Sequence, residues 1–519
     1  MAINKRDLYY KTMTPKFLFR MVGIIIVLCL ILSTILNLTK SVNIFGLIKL
    51  TLHENTHNKF QSQFANVLKE KSFSEEEFIT FIEIIYGKRN PLISDIVKIE
   101  LNKAKNSYGT TQIATHLLNI NNKLIENSLL ALQNEGKKNT RYANRLLAYH
   151  YDFIKNPKLE EVHLASESRF TDANTSRKRL VRLYIQNNKT QKLKQLADIP
   201  IFNKFYIHIS RNLTAKEMNW SKYFNALLLR LVDISLNGSF ILAIISGIFW
   251  FGLWLHALRP SSIKTILPLC LLAFLAGAFS TVPTLLLSEF FEKVFDFKMR
   301  EGLLSGTLYF IMSVGFREEF CKLLCFVPFV PFLAKRGKPL EWLIVAGMVG
   351  LGFAVEENIN YFESQSSLAG RFLTANVLHV ALTAIAGESL CYLYTQKKEA
   401  IEHFATTFSM VIVLHGIYDA FIVVNALAQL SFLTFVVLYF ILQMYFKRLN
   451  QLRDNSYEHI SLTTHFIFAI TFIFMTTFIA ISFQTNHLDA IRILGRPFIE
   501  LGIIVYAYLY LMPNSIIKV

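Results

Sequence analysis

Residues 341–362 read EWLIVAGMVGLGFAVEENINYF. The run is 22 residues long and mostly apolar, enough to cross a bilayer core as a helix. It ends on two adjacent glutamates, Glu356 and Glu357, followed by Asn358 and Tyr361. A chain that carries carboxylates inside such a run either buries them against partners or lines a wet cavity with them. The rest of the sequence decides between a stray span and a membrane protein built around a polar site.

Working outward, apolar runs recur on both sides. Candidate spans cover about 231–257, 265–288, 303–333, 341–362, 371–394, 404–427, 429–446, 464–483 and 493–512. One further run, Met21 to about Leu38, follows the basic residues Lys5, Arg6, Lys11, Lys16 and Arg20. It is long for a signal-peptide core and lacks a small-residue cleavage site, so it reads as a retained signal anchor. The spacing therefore predicts about ten spans. The chain has 519 residues, 53% hydrophobic and 18% charged, with a mean hydropathy of +0.36. A soluble domain is usually about 25% charged. The expected class is all-α, a polytopic transmembrane helical bundle with an inserted helical soluble domain.

That domain is expected over residues 39–230, with the anchor in 1–38 and the membrane domain in 231–519. Ser74 and Glu77 form a capping-box pattern ahead of Phe78, Phe81, Ile82 and Ile85 at helix-face spacing. Pro91, Pro157 and Pro200 are expected between helices. No clean internal period is visible, so a plain helical domain is favoured over a hairpin repeat.

Charge sets the expected orientation. Lys5 to Arg20, Arg259 to Lys264, Lys335 to Lys338, Lys397 to Lys398, Lys447 to Arg453 and Lys518 alternate onto one side of the ten-span scheme. That side is expected to be cytoplasmic, with both termini, in the cell membrane. The net charge of +17 is scattered among acidic residues with no nucleic-acid motif, so lipid headgroups are the expected contact and nucleic acid is not. Cys29, Cys270, Cys321, Cys325 and Cys391 all lie in apolar runs, which excludes a disulfide-stapled domain.

Four consecutive spans carry the chemistry. They contain Glu318, Glu319 and Lys322, then Glu357, Asn358 and Tyr361, then Arg371 and His379, then His415 and Asp419. Facing lipid, each charge would cost about 2.5–3.5 kcal/mol, so Glu318, Glu319, Lys322, Glu357 and Asp419 are expected to face one another or water. Helical spacing stacks Glu318 over Lys322, Glu357 over Tyr361, His379 over Thr383 and His415 over Asp419. Glu318 and Glu319 lie about 100° apart and are expected to point differently, one toward water and one toward Lys322. Asp419 is expected to fix the tautomer of His415. Glu356 is expected to be solvated, and Glu388 is left outside the site.

A carboxylate and a histidine supply a base for water and a proton donor for an amine, and Asn358, Lys322 or the second histidine can face an oxyanion. No serine or cysteine stands in a nucleophile-elbow context and no HExxH occurs. A metal on Glu357, His379 and His415 suits zinc chemistry, so the cofactor is either none or a divalent metal such as zinc.

At these residues the sequence resembles the PrsW family of intramembrane proteases. The family pattern is EExxK, then FxxxEN with a Tyr, then Arg and His in one helix, then HxxxD. It stands here as Glu318-Glu319-x-x-Lys322, Phe353-x-x-x-Glu357-Asn358-x-x-Tyr361, Arg371 with His379, and His415-x-x-x-Asp419, over about residues 300–425. The family is similar to the wider group of prenyl-protein endopeptidases and bacteriocin-immunity-type proteases. Glu357 in place of His, and Lys322 one position early, separate this chain from that group. The resemblance implies hydrolysis of a membrane-anchored protein, as in regulated proteolysis signalling. It implies catalytic roles for Glu318, Glu319 and His415; Glu357 and His379 are expected to be catalytic with them, and Lys322, Asn358, Tyr361, Arg371 and Asp419 to support them. It leaves open glutamate-type or metal-dependent chemistry. The alternatives are a proton- or ion-coupled transporter and an inactive protease-like sensor or scaffold.

Overall fold

The computed structural model describes residues 12, 14–38, 47, 57–88, 90–104, 108–120, 125–232, 238–258, 260–299, 302–363, 368–453, 461–484 and 487–512. Among these residues every regular element is a helix or helical turn. The chain divides into two compact units. One comprises residues 35–226 with the short stretch 483–486, and the other takes the rest.

The 35–226 unit is built from helical hairpins. Glu75–Lys88 pairs with Pro91–Lys103, Thr111–Ile120 with Ile125–Lys137, Ala143–Phe153 with Pro157–Glu167, and Asn174–Gln186 with Thr190–Ala197. The second helices begin at 91, 125, 157 and 190, intervals of 34, 32 and 33 residues. That is the period of tandem helical-hairpin arrays, so the expectation of a plain helical domain is corrected. The period is hidden because the turns repeat their geometry and not their residues. Asn90 and Asn156 cap the second helices by accepting from the amides of Ile93 and Leu159 at 3.2 and 3.3 Å, each with proline at the first helical position. The last hairpin has no such cap and turns instead on Asn188, at φ 52°.

The capping box forms as expected. Glu77 accepts from the Ser74 amide at 2.8 Å, and its own amide donates to Ser74 Oγ at 3.2 Å. Phe78, Phe81, Ile82 and Ile85 are all buried behind it. Each such side chain contributes about 1.5–3 kcal/mol on burial, and that is what holds the hairpins together.

In the other unit every predicted span carries a helix. Six helices among the described residues are long and apolar enough to cross a membrane: Pro15–Leu36, Ser262–Phe295, Pro339–Tyr361, Gly370–Gln396, Lys398–Val423 and Leu462–Phe483. Phe240–His256 and Leu501–Leu511 are apolar but shorter. The span expected at 303–333 is broken. It runs as Leu303–Tyr309, a π turn at Phe310–Gly315, Phe316–Phe326, a 3-10 turn at Val327–Phe329 and Val330–Arg336. Pro328 and Pro331 lack the amide protons that a continuous helix would use there.

Helix Pro339–Glu363 is the centre of the unit. It packs on Gly238–His256, on Pro260–Phe295 and most extensively on Ala375–Gln396. Gly350 makes the last contact possible. A Cβ there would lie 2.2 Å from the carbonyl oxygen of His379. The close crossing sets Glu357 beside His379.

Candidate active site

The π turn at Phe310–Gly315 leads directly into the helix that carries Glu318, Glu319 and Lys322. π turns inside α-helices recur at functional sites. Here the turn meets helix Ile401–Val423 at bare backbone. A Cβ on Gly315 would come 2.5 Å from the Ile412 oxygen, and one on Gly416 would come 2.4 Å from Ile311 Cα. This contact lies one residue from His415 and three from Glu318, and it draws the two helices together at the cluster.

Lys322 is fully buried and is the hub. Its Nζ donates to Glu319 Oε1 at 2.8 Å, to His379 Nδ1 at 2.8 Å and to Glu318 Oε2 at 3.3 Å, which uses all three ammonium protons. The Phe353 ring lies under it with the ammonium 4.0 Å from the centroid. Because His379 Nδ1 accepts from Lys322, its Nε2–H donates to Glu357 Oε2, at 3.2 Å. Glu357 in turn accepts from Arg371 at 2.6 Å.

Glu319 is also fully buried. Besides Lys322 it engages His415 Nδ1 at 2.7 Å and Thr383 Oγ1 at 3.3 Å. A buried carboxylate accepts from His415 Nδ1–H, and Nε2 is left without a close partner. Nε2 lies 3.5 Å from both Glu318 Oε2 and Asp419 Oδ2, too far for a good bond to either. The Glu318 side chain keeps 13% of its surface exposed, whereas that of Glu319 keeps none.

The structure thus brings Glu318, Glu319, Lys322, Glu357, His379 and His415 into one hydrogen-bonded cluster from four helices. Arg371 stacks 3.7 Å over the Tyr361 ring, as its pairing with Glu357 allows. Several expectations change. Glu318 and Glu319 do not point apart, because two long side chains 100° apart can still close on a shared lysine. Glu319, and not Asp419, holds the Nδ1 side of His415. Asn358 is not free to face an oxyanion. Its side chain accepts from Arg371 Nε at 2.9 Å and donates to Asn376 Oδ1 at 2.9 Å. Glu356 is buried, not solvated, and pairs with Arg230 at 2.8 Å. Glu388 belongs elsewhere. It takes a bidentate bond from Arg448 in a separate cavity that Tyr392, His403, Met410 and Met444 also line.

Two contributors were missed. Asn376 is fully buried and passes the ladder on, donating to Ser246 Oγ at 2.6 Å. An amide in the middle of an apolar run was the available signal for it. Ser246 carries no such signal, since serines are ordinary at helix contacts in membranes.

The cluster is rich in negative charge. Among the described residues Glu318, Glu319 and Glu357 pair with Lys322 and Arg371, Arg317 lies near Glu318, and Asp419 pairs with no fixed cation. Protons or a divalent cation can supply the missing positive charge. Among the described residues the group able to share one ion is Glu318, His379 and His415, whose ligand atoms all lie within 4.8 Å of one another. The expected set of Glu357, His379 and His415 therefore changes by one member. Two imidazoles and a carboxylate form a zinc-type donor set, and His415 already has the arrangement of a ligand, with Nδ1 on a carboxylate and Nε2 open. Both nitrogens of His379 are engaged, so an ion there displaces one of its two hydrogen bonds. The residues fit a metal on those terms.

Residues 266–445 match the model of a family described as PrsW family intramembrane metalloprotease. No curated protein and no solved structure matches the chain. The matched region contains every member of the cluster and the four helices that carry it. Residues 266–445 of this multi-pass membrane protein are thus similar to the PrsW family of intramembrane proteases.

Proposed function

We propose that the cluster hydrolyses a peptide bond of a membrane-anchored protein by activating water, with Glu318 as the base. The observation that carries this reading is the asymmetry of the two glutamates. Glu319 is wholly committed to Lys322, His415 and Thr383, while Glu318 has one long bond and an exposed edge.

In this reading Glu318 takes a proton as water oxygen attacks the scissile carbonyl carbon. The charge that develops on the carbonyl oxygen is met by Arg371, which is partly exposed. The C–N bond then breaks, and the proton passes through His415 to the departing amine. The products are a new carboxylate and a new amine, with the water oxygen in the carboxylate. Glu319 is a positioning residue that fixes the His415 tautomer, and Lys322 keeps Glu319 ionised in a buried place. Glu357 holds His379 and Arg371 in place. A divalent metal, if held by Glu318, His379 and His415, would acidify its bound water and polarise the carbonyl, and Glu318 and His415 would then act as its ligands in place of base and proton carrier.

The charge alternation along the sequence supports a cytoplasmic-membrane protein with both termini inside and residues 39–230 outside, so that cleavage serves signalling across the membrane. Wild type and Glu318→Ala, Glu319→Ala and His415→Ala are each purified and incubated with a library of single-pass membrane proteins. Wild type is expected to cleave one or more of them and each variant none. Cleavage that survives all three substitutions rejects this site. A chelator titration in the same assay separates metal-dependent from glutamate-type chemistry.

A further inference from the structure

The hairpin unit is strikingly uneven in charge for a domain attached to a membrane protease. Residues 35–226 hold 29 Lys and Arg against 17 Asp and Glu, a net +12 of the chain's +17. The excess gathers late. Residues 141–226 hold 16 basic and 7 acidic residues, a net +9.

That half of the unit contains a cleft of about 480 Å³ at the turn ends of the last two hairpins. Lys155, Arg179, Arg182, Gln186 and Asn187 line it, together with the acidic Asp152 and Glu160. Arg182 and Lys155 are exposed and make no ion pair among the described residues. Arg179 is held only loosely, 3.4–3.7 Å from Glu83, Asp152 and Glu160, so its guanidinium can be shared with an incoming carboxylate. On the same helix, Asn174–Gln186, Lys178 lies one turn from Arg182 and is exposed. Both act on His208, whose pKa is lowered by partial burial first and then by the charges of Arg211, Lys178 and Arg182. Lys178, Arg182 and Arg211 thus gather around one histidine, and Arg182 joins that group to the cleft.

Arrays of helical hairpins present such concave surfaces for extended partners. We propose that this cleft and its cationic margin bind an acidic segment of polypeptide, and that the segment belongs to the protein to be cleaved. The second half rests on the protease reading above. Carboxylates spaced along an extended chain can pair in turn with Lys178, Arg182, Arg179 and Lys155. The amides of Gln186 and Asn187 add neutral donors. Asp152 and Glu160, 3.4–3.7 Å from Arg179 in the same cleft, disfavour a highly charged compact anion there.

The test uses the full-length protein in detergent micelles and three labelled peptides of equal length: one rich in Asp and Glu, one rich in Lys, one neutral. Fluorescence anisotropy gives each affinity. The acidic peptide is expected to bind, and more weakly as salt rises. Reversing two exposed charges, Lys155→Glu with Arg182→Glu, is expected to weaken it by about tenfold or more, since two attractions become repulsions. Lys69→Glu, an exposed reversal on helix His57–Glu70, is the control and is expected to change little. Equal affinity in the double variant and wild type overturns the proposal. So does binding to vesicles of anionic phosphatidylglycerol in place of peptide, which would make the face a membrane-contact surface. Glu319→Gln keeps the two readings apart. It should bind the acidic peptide like wild type while losing cleavage, whereas wild type that binds the peptide but cleaves nothing faults the protease reading and leaves this surface standing.

Discussion

Each unit of this protein buries an ionic cluster, and the two clusters are built to opposite plans. In the hairpin unit Arg145 is 2% exposed and makes a bidentate bond to Glu83 at 3.0 and 2.8 Å, with Glu76 at 2.5 Å and Thr80 at 3.0 Å. With Arg179 of helix Asn174–Gln186 3.7 Å from Glu83, two cations meet two carboxylates, the planar guanidinium fork is filled, and the ring of partners is closed. In the membrane unit, Glu318, Glu319 and Glu357 close on Lys322 and Arg371, and His415 Nε2 faces two carboxylates at 3.5 Å without a good bond. The first arrangement has nothing left to do but hold three helices. The second has an imidazole nitrogen without a close partner and an exposed carboxylate edge to spare. Burial of charge alone therefore does not distinguish structure from function; unmatched donors and acceptors do.

The largest effect that sharpens this contrast is expected at His415. His415→Ala should lower the cleavage rate by about 10²–10⁴, the range for losing a positioned proton-transfer group. The thermal midpoint should move little, because the residue removed had an open side. If the rate survives and the midpoint collapses, the membrane cluster is of the Arg145 kind.

Arg145 should behave in reverse. Arg145→Met leaves Glu83 buried without its partner and should cost about 3–5 kcal/mol in denaturant unfolding of the hairpin unit. Joining it to Glu83→Leu should recover most of that loss. Cleavage per folded molecule should be unchanged in both.

Asp419 offers a finer test inside the membrane cluster. It lies one helical turn from His415, but Glu319 already holds the ring. Asp419→Asn should thus slow cleavage by less than about tenfold, well short of the loss at His415. An effect as large as that of His415→Ala would return the tautomer-fixing role to Asp419.

The smallest effect is in pH. Burial lowers the pKa of His116, His150, His163 and His208 in the hairpin unit. In the unfolded chain these groups titrate near about 6.5. Above that value both states are neutral and the stabilisation is fully present. As pH falls toward the lower folded values, the unfolded chain takes up protons first and stability is lost. Hydrogen exchange in residues 143–167 of the full-length protein should therefore quicken between neutral pH and about pH 5.5, after correction for the intrinsic rate. Glu160 and Glu167, whose carboxyls burial pushes up, act in the opposite sense, but around about pH 4.5 and above it only as far as their folded values reach.

Much of the membrane unit was legible in the sequence. Apolar length alone marked the helices, and the cost of charge at depth singled out Glu318, Glu319, Lys322, Glu357 and Asp419 before any geometry was known, while His379 and His415 stood out through helical spacing and the family resemblance. The division of labour between Glu318 and Glu319 was not legible. It depends on where Thr383 and His415 arrive from other helices, and sequence adjacency says nothing of that. Glu356 was misjudged for the same reason, since its partner Arg230 lies 126 residues away. The hairpin period escaped because two of the four second helices start on an Asn-Pro pair and the others do not. Backbone geometry repeats there while residue identity drifts.

The account stands most directly on Glu319, a fully buried carboxylate assigned to positioning a proton carrier and not to holding the fold. Cleavage rate and thermal midpoint are measured together on purified wild type and Glu319→Gln, with a membrane-anchored substrate found in the library assay. The account predicts that Glu319→Gln keeps a cooperative transition within a few degrees of wild type and loses cleavage by about a hundredfold or more. A variant that cleaves at the wild-type rate per folded molecule, whatever its midpoint, contradicts it.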